Sequence, residues 1–241
     1  MNTLQSVFMK NFRIESAIIA LGFFLMGLCV YWGLDNMAQR GRVVAVRGLA
    51  EKEVKADHVI WPLAYRITGN NLKTLYDEIG TKNQKIVDFL VNNGIAREEI
   101  TTTAPNIIDK ETNAYNSDYR GDRYNVCSIL TVSTRQVDKV IDLIPRIGEL
   151  LKSGIAVATN DYETNIQYEF TSLNEIKPQM IEEATRNARE AAEKFATDSD
   201  SKLGKIQSAS QGLFSINDRD RYTPYIKNVR VVTSVKYFLE S

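Results

Sequence analysis

Residues 59–67, with the sequence VIWPLAYRI, are the stretch that decides the fold of this chain. Val59, Trp61, Leu63, Tyr65 and Ile67 occupy every second position, so one face of an extended segment is wholly apolar. This alternation is typical of a β-strand with one buried face. The proline inside the stretch lacks a backbone N–H, which predicts an edge position or a bulge for this strand.

The segments that follow alternate between helical and extended patterns. They are a helix over Asn71–Asn93, a strand over Ile100–Asp109, a polar hairpin loop over Asp109–Arg123, a strand from Tyr124, a helix over Gln136–Lys152 kinked at Pro145, and a strand over Ile155–Phe170. From Val54 to Phe170 the predicted order is β-α-β-β-α-β, which is the ferredoxin-like order. Two helices can then cover one face of an antiparallel sheet, so the predicted class is α+β.

A long third helix is predicted after this unit, through about Lys202, with Pro178 at its first helical position. Its apolar stripe is rich in alanine, which allows close approach to a sheet or another helix. Two strands joined by a hairpin loop over Asn217–Tyr225 end the chain, and a further strand is predicted at Arg42–Ala50. The predicted fold is therefore the ferredoxin-like order with an added helix and β-hairpin.

Three stretches resemble the SIMPL-domain family of bacterial exported proteins. They are VVAVRGLAEKEVKAD (Val43–Asp57), NGIAREEITTTAPNI (Asn93–Ile107) and ATRNAREAAEKFATDSDSKLGKIQSASQGLFSI (Ala184–Ile216). The last carries the family's alanine-spaced helix, followed by a strand that starts at Leu203–Ile206. The resemblance covers Arg42 to the C-terminus and implies an extracytoplasmic α/β domain that self-associates, in a family with links to oxidative or envelope stress.

An apolar run lies ahead of this domain. Residues 17–34 contain no charged side chain, and as a helix they would extend about 27 Å, close to the hydrocarbon thickness of a bilayer. We therefore predict a cytoplasmic N-terminus over 1–13, a transmembrane signal anchor over 14–34, a linker over 35–41 and a SIMPL-like extracytoplasmic domain over 42–241. This places the protein in the bacterial inner membrane as a single-pass protein, with its C-terminal domain in the periplasm.

Two alternatives to an uncleaved anchor stay open. A cleaved signal peptide would leave the domain free in the periplasm, although the apolar core is longer than such signals require and the cleavage sites after it are poor. A buried helix of a soluble protein is the other alternative. Cys29 lies within the run and is interpreted as a packing residue, since Leu28 precedes it where a lipoprotein signal needs a small residue.

Composition argues against several functional classes. Thirty Lys and Arg balance thirty Asp and Glu, and nucleic-acid binders need a basic surplus that is not visible here. Cys127 is the one cysteine outside the apolar run, and its strand-like neighbours favour a buried thiol. No disulfide is therefore expected within the domain.

Catalytic and metal-binding patterns are also weak. His58 is the only histidine, and as a general base it would need a nucleophile and an orienting partner that the sequence does not reveal. One histidine and one cysteine cannot form a zinc cluster, and Asn116–Asp122 lacks calcium-loop spacing. We predict a protein that is not an enzyme and has no cofactor.

Two loops interleave tyrosine with arginine and aspartate, and tyrosine and arginine are favoured at protein interfaces. The candidate contact residues are Tyr115, Tyr119, Arg120, Arg123, Arg219, Arg221, Tyr222 and Tyr225. The leading hypothesis is a non-enzymatic, membrane-tethered domain that self-associates and acts in envelope or oxidative stress tolerance. The alternative is a module of the cell envelope that binds a peptide, a glycan or a small molecule.

Overall fold

The computed structural model describes residues 19–34, 42–112, 121–158 and 164–240. It combines helices with antiparallel sheets, so the predicted α+β class is confirmed. The chain divides into two compact units. The first takes the described residues within Met1–Glu51, Pro178–Phe214 and Arg230–Ser241, and the second those within Lys52–Lys177 and Ser215–Val229.

The elements are numbered in chain order. The helices are α1 (residues 19–34), α2 (Leu72–Asn92), α3 (Val137–Leu143), α4 (Gly148–Leu151) and α5 (Leu173–Asp198). The strands are β1 (Val43–Lys55), β2 (His58–Gly69), β3 (Ile100–Thr102), β4 (Asn106–Asp109), β5 (Tyr124–Thr134), β6 (Val157–Ala158), β7 (Gln167–Glu169), β8 (Lys202–Gln211), β9 (Ser215–Asp218) and β10 (Ile226–Glu240).

The sheet of the second unit is built around β2. Its strand order is β3-β5-β2-β6, with β4 also paired to β5 and β7 also paired to β2. Along the chain the elements follow the predicted β-α-β-β-α-β succession, starting from β2. The alternating apolar residues of β2 are buried, together with the apolar faces of α2 and α3. The alternating apolar side chains of β2 thus form part of the main hydrophobic core of the unit.

Pro62 does not place β2 at an edge, so that prediction is wrong. β2 is central, with an antiparallel register that runs unbroken from Val59↔Thr134 to Gly69↔Tyr124 against β5. On its other side, β7 pairs with His58–Ile60 and β6 with Ala64 and Tyr65. On this second side, between β7 and β6, none of the described strands pairs with Trp61–Leu63. The missing N–H of Pro62 is compatible with this gap.

Helix α2 (Leu72–Asn92) lies within the predicted range of Asn71–Asn93. The Asn71 side-chain oxygen accepts hydrogen bonds from the backbone N–H groups of Lys73 (2.9 Å) and Thr74 (3.3 Å). Gly94 follows the helix with a φ of +88°, a conformation that glycine adopts at least cost.

Several predicted elements are divided or shifted, including the strand over Ile155–Phe170, within which the structure has the two short strands β6 and β7. The strand over Ile100–Asp109 is split into β3 and β4, with Pro105 in the break. The helix over Gln136–Lys152 is interrupted by a 3₁₀ turn at Ile144–Ile147, which confirms the kink predicted at Pro145. Pro178 lies inside α5 and not at its start, because the helix already begins at Leu173.

The first unit depends on a close approach between α5 and β1. Ala184, Ala188, Ala192 and Ala196 are buried on one side of α5. A Cβ built on Gly48 of β1 would lie 1.8 Å from the Ala184 carbonyl oxygen and 2.4 Å from the Ala188 nitrogen. Only a glycine permits this spacing. The sheet beneath has the order β1-β10-β8, with β9 also paired to β10.

The predicted membrane span is not supported. Helix α1 covers residues 19–34, and residues 14–18 of the predicted anchor, like the linker over 35–41, lie outside the described residues. Among the described helices, none has both the length and the apolar character that crossing a bilayer requires.

The contact at Gly48 generates a stability prediction. Replacing Gly48→Ala forces backbone atoms of α5 away from β1, so the free energy of unfolding should fall by about 1–3 kcal/mol. Chemical denaturation of the full chain measures this change. Gly80→Ala is the matched control, since nothing lies within 4 Å of its added Cβ, and it should raise stability by about 0.5–1 kcal/mol. Equal stabilities of wild type and Gly48→Ala would contradict the close approach.

Asp57 anchors the start of α5 from a distant position in the sequence. One carboxylate oxygen accepts hydrogen bonds from the Thr171 N–H (2.7 Å) and hydroxyl (3.0 Å), and the other accepts from the Ser172 N–H (2.8 Å). Burial alone would raise the pKa of Asp57, but the hydrogen bonds from Ser172 and Thr171 together lower it below its usual value. The ionised carboxylate is therefore the form that the fold stabilises.

This pKa shift predicts a pH dependence of stability. Because the pKa is lower in the folded state, the contribution of Asp57 is fully present above the unfolded pKa of about 3.9 and is lost as pH falls through the folded value. Asp57→Asn should be less stable than wild type at pH 7, and the difference should shrink below about pH 4. Urea unfolding at several pH values tests this, and a difference that stays constant down to pH 3 would contradict it.

Candidate functional site

The second unit has a surface groove of about 420 Å³, which we call the Tyr–Pro groove. Its lining includes three tyrosines and two prolines, namely Tyr168, Tyr222, Tyr225, Pro145 and Pro224. Isoleucines and Asn165 complete the lining, so every lining residue is uncharged. The groove therefore offers aromatic and apolar surface with a few polar groups, which is the usual composition of a binding site.

Three segments that are distant in the sequence form the groove. Pro145 belongs to the 3₁₀ turn that interrupts the α3–α4 region, and Tyr168 belongs to β7. Tyr222, Pro224 and Tyr225 come from the loop between β9 and β10. The proline that breaks the helix thus also supplies one wall of the groove.

Asp220 organises the β9–β10 loop from within. One of its carboxylate oxygens accepts hydrogen bonds from the backbone N–H groups of Tyr222 (2.8 Å) and Thr223 (2.9 Å). The other accepts from the Thr223 hydroxyl and from Arg219 Nε (3.1 Å). The Thr223 side-chain hydrogen bond and then that of Arg219 hold the pKa of Asp220 well below its usual range. A single charged side chain therefore bonds to three residues of the loop.

The three tyrosines differ in their surroundings. The Tyr168 and Tyr225 rings meet edge to face, with centroids 6.1 Å apart and planes at 70°, a favoured aromatic arrangement. Burial raises the pKa of Tyr168, and the neighbouring Tyr225 raises it further. Tyr222, by contrast, is 88% exposed. Two rings form a fixed wall, and the third stands in solvent beside it.

The predicted contact residues separate into three groups. Arg219, Arg221, Tyr222 and Tyr225 lie at or beside the β9–β10 loop, and the two tyrosines line the Tyr–Pro groove. Arg123 lies apart, at the start of the β5 hairpin arm. Tyr115, Tyr119 and Arg120 lie outside the described residues, as does most of the Asn116–Asp122 segment.

Arg123 is engaged within its own hairpin. Its guanidinium donates to both carboxylate oxygens of Asp109 (2.8–3.1 Å), forms an ion pair with Glu111 (2.9 Å) and lies 5.0 Å from the Tyr124 ring centroid. The hydrogen bond from Arg123 lowers the pKa of Asp109, and the same pair raises the pKa of Arg123. Arg219 is similarly paired with Asp220 and Glu53.

The sequence reading missed Tyr168 and Pro145 as parts of the groove. The pattern around Tyr168 predicts only a strand, and Pro145 predicts only a kink in a helix. Neither carries a local signal for binding. Their roles follow from where β7 and the 3₁₀ turn lie in the folded unit.

His58 has two side-chain partners on neighbouring strands. Its Nδ1 lies 3.1 Å from Glu169 Oε2, and its Nε2 lies 3.0 Å from Ser133 Oγ. Cys127 is half-buried, whereas Cys29 in α1 is exposed. Within the described ranges, His, Cys, Asp and Glu side chains form no group of three that could hold a metal ion.

A second candidate surface is strand β8, which pairs with β10 and with no other described strand. Residues 206–217 contain no charged side chain, and residues 206–213 are exposed throughout, with Leu213 at 95%. We call this segment the β8 edge. At the opposite edge of the same sheet, β1 carries Arg47, Glu51, Lys52 and Glu53.

Comparison with known proteins agrees with the resemblance seen in the sequence. No curated protein matches the chain. Residues 44–233 match the SIMPL family, described as a protein of unknown function (DUF541). The match spans nearly all of β1, the elements from β2 to β9 and about half of β10. This chain belongs to the SIMPL family.

Proposed function

We propose that this protein is a membrane-tethered periplasmic domain that self-associates and acts in envelope or oxidative stress tolerance, and that this role is non-enzymatic. The proposal of self-association is based on the exposed, uncharged β8 edge. The apolar run at residues 17–34 supports a tether, with a cleaved, free periplasmic form as the alternative. The stress role rests on the family resemblance alone.

The β8 edge is suited to pairing with another strand. An edge strand presents unpaired backbone N–H and C=O groups, and proteins usually protect such edges with charges, prolines or a covering element. From Ile206 to Leu213 the side chains are exposed and uncharged. Ser208, Ala209 and Ser210 are small, so a second strand could approach without steric conflict. We propose that a second copy of the chain supplies this strand.

Charge placed on the β8 edge should prevent this association. Ser208 and Ser210 are opposite Lys236 and Ser234 of β10, on the face away from the buried Val235. The double substitution Ser208→Lys and Ser210→Lys should therefore leave the core intact while two copies repel each other. Sedimentation velocity of the full chain in mild detergent, at tens of micromolar, should show oligomers for wild type and a protomer for the variant.

The matched control is Ser153→Lys, at an exposed turn that follows α4, which should assemble like wild type. Circular dichroism confirms that both variants fold. A wild-type chain that is monomeric at tens of micromolar would contradict self-association. Oligomers that survive the double substitution would contradict the β8 edge as their interface.

A second candidate function is favoured by the Tyr–Pro groove. Proline-rich peptides adopt an extended left-handed helix that docks into grooves lined by aromatic residues. Tyr222 stands exposed beside the Tyr168–Tyr225 wall, and Asp220 fixes the loop that carries it. We propose that the groove binds an extended, proline-rich peptide. Of the three ligand classes left open by the sequence, we therefore favour a peptide over a glycan or a small molecule.

Loss of the exposed ring should weaken such binding. Calorimetric titration of the full chain with a decaproline peptide should show binding that Tyr222→Ala weakens by about tenfold or more, since aromatic residues are frequent hot spots. Tyr76→Ala is the matched control, because Tyr76 is also a well-exposed tyrosine, at 72%, but lies on α2 away from the groove. Equal affinities of the two variants, or no heat of binding for wild type, would contradict the proposal.

A further inference from the structure

The open face of the β2 sheet brings an acid, a histidine and a serine together. Glu169 is directly opposite His58 in the β2–β7 register, and their side chains meet at 3.1 Å. Ser133 is opposite Ile60 in the β2–β5 register, one pleat along from His58, and its Oγ lies 3.0 Å from His58 Nε2. Side chains two residues apart on a strand share a face. Three strands thus align the groups in the order Glu, His, Ser.

The hydrogen-bond partners of His58 fix its tautomer. A carboxylate can only accept hydrogen bonds, so in the neutral imidazole Nδ1 carries the proton that Glu169 accepts. Nε2 is then free to accept the Ser133 hydroxyl proton. A base held in this way beside a hydroxyl group is the arrangement that activates a serine nucleophile.

The three groups are accessible to a substrate. The side chain of His58 is 22% exposed and that of Glu169 46%, and Ser133 is exposed. Ile60, half-buried between the strands, lies opposite both Ser133 and Gln167. It offers apolar contact for a small acyl group next to the serine hydroxyl.

Gln167 supplies a hydrogen-bond donor on the same face. It lies two residues from Glu169 on β7 and is exposed, so its side chain stands on the face that holds His58. A side-chain amide can donate to the oxyanion of a tetrahedral intermediate. Gln167 is therefore the group that would stabilise charge on a carbonyl oxygen attacked by Ser133.

We propose that Ser133, His58 and Glu169 form a hydrolytic site for small, uncharged carboxylic esters, with Gln167 as the oxyanion donor. This activity is separate from the non-enzymatic role proposed above, and it does not depend on self-association. Ser133 Oγ bonds to the carbonyl carbon while its proton passes to His58 Nε2. The bond to the alcohol oxygen breaks as His58 returns the proton to that oxygen, leaving an acyl-Ser133 ester.

Water then completes the cycle. It attacks the acyl carbonyl while His58 accepts one of its protons, and the bond to Ser133 Oγ breaks as that oxygen regains the proton. One ester and one water become one carboxylic acid and one alcohol, and the side chains return to their starting state. Glu169 is a positioning residue, since it acts only through His58.

The experiment uses the purified full chain with two probes, a fluorophosphonate and p-nitrophenyl acetate. The expected result is a stoichiometric phosphonyl adduct on Ser133, formed with loss of fluoride and located by peptide mass spectrometry. Ser133→Ala should abolish the adduct, and His58→Gln should slow its formation by about 100-fold or more. Glu169→Gln should lower kcat for the acetate ester with little change in KM, and Glu169→Asp should restore part of it. Gln167→Ala should lower kcat by about 100-fold.

Thr131→Ala is the matched control, because Thr131 lies on the same face of β5 two residues from Ser133 and should leave both readouts unchanged. Thermal melting confirms that each variant is folded. The absence of a Ser133 adduct in wild type would overturn the proposal. So would an adduct that forms equally fast in His58→Gln, or ester hydrolysis that persists in Ser133→Ala, which would indicate a surface imidazole acting alone.

Discussion

The second unit depends on the pairing of β2 with strands on both of its sides. Its register with β5 fixes which side chains face the helices and which face outward, and a slip of one residue would exchange the two sets. The inward set, including Trp61 and Tyr65, is almost completely buried. Burial of the inward set therefore also fixes the positions of the outward set. The contacts of His58 with Ser133 and Glu169 are a consequence of this register.

The first unit is held by a different constraint, which is distance and not apolar bulk. The buried face of α5 is made of Met180 and four alanines. Each alanine buries little surface, so the stability of the unit depends on how closely the helix approaches β1. Gly48 permits that approach by having no Cβ. A bulkier side chain at Gly48, or in place of a buried alanine of α5, would push the helix away from β1. Many favourable contacts would then be lost together, because protein interiors are close-packed. The sheet that carries β8 is therefore covered on one face by a helix whose buried side chains are mostly alanine.

Local signals were sufficient for elements and their ends but not for their partners. The alternation in residues 59–67, the cap at Asn71, the left-handed Gly94 and the kink at Pro145 are all properties of short stretches, and each was predictable. Pro62 was misjudged because the gap beside it lies between β6 and β7, which the sequence near Pro62 does not encode. The partners of His58 lie 75 and 111 residues away, so its surroundings become visible only once the strand order is known. The contact between Tyr168 and Tyr225 likewise joins residues that are distant in the sequence, so it too becomes visible only in the folded unit.

The three surfaces with functional potential differ in what they require of the fold. The Tyr–Pro groove needs a rigid loop, and Asp220 provides it with a single charged side chain. The open face of the β2 sheet needs only register, which the core already fixes. The β8 edge needs neither a rigid loop nor a fixed register. It leaves backbone groups exposed and lacks the charged side chains that β1 carries. An unprotected edge of this kind favours aggregation unless another strand covers it. The self-pairing proposed above would resolve this difficulty, because a second copy would both satisfy those backbone groups and limit further growth from the same edge.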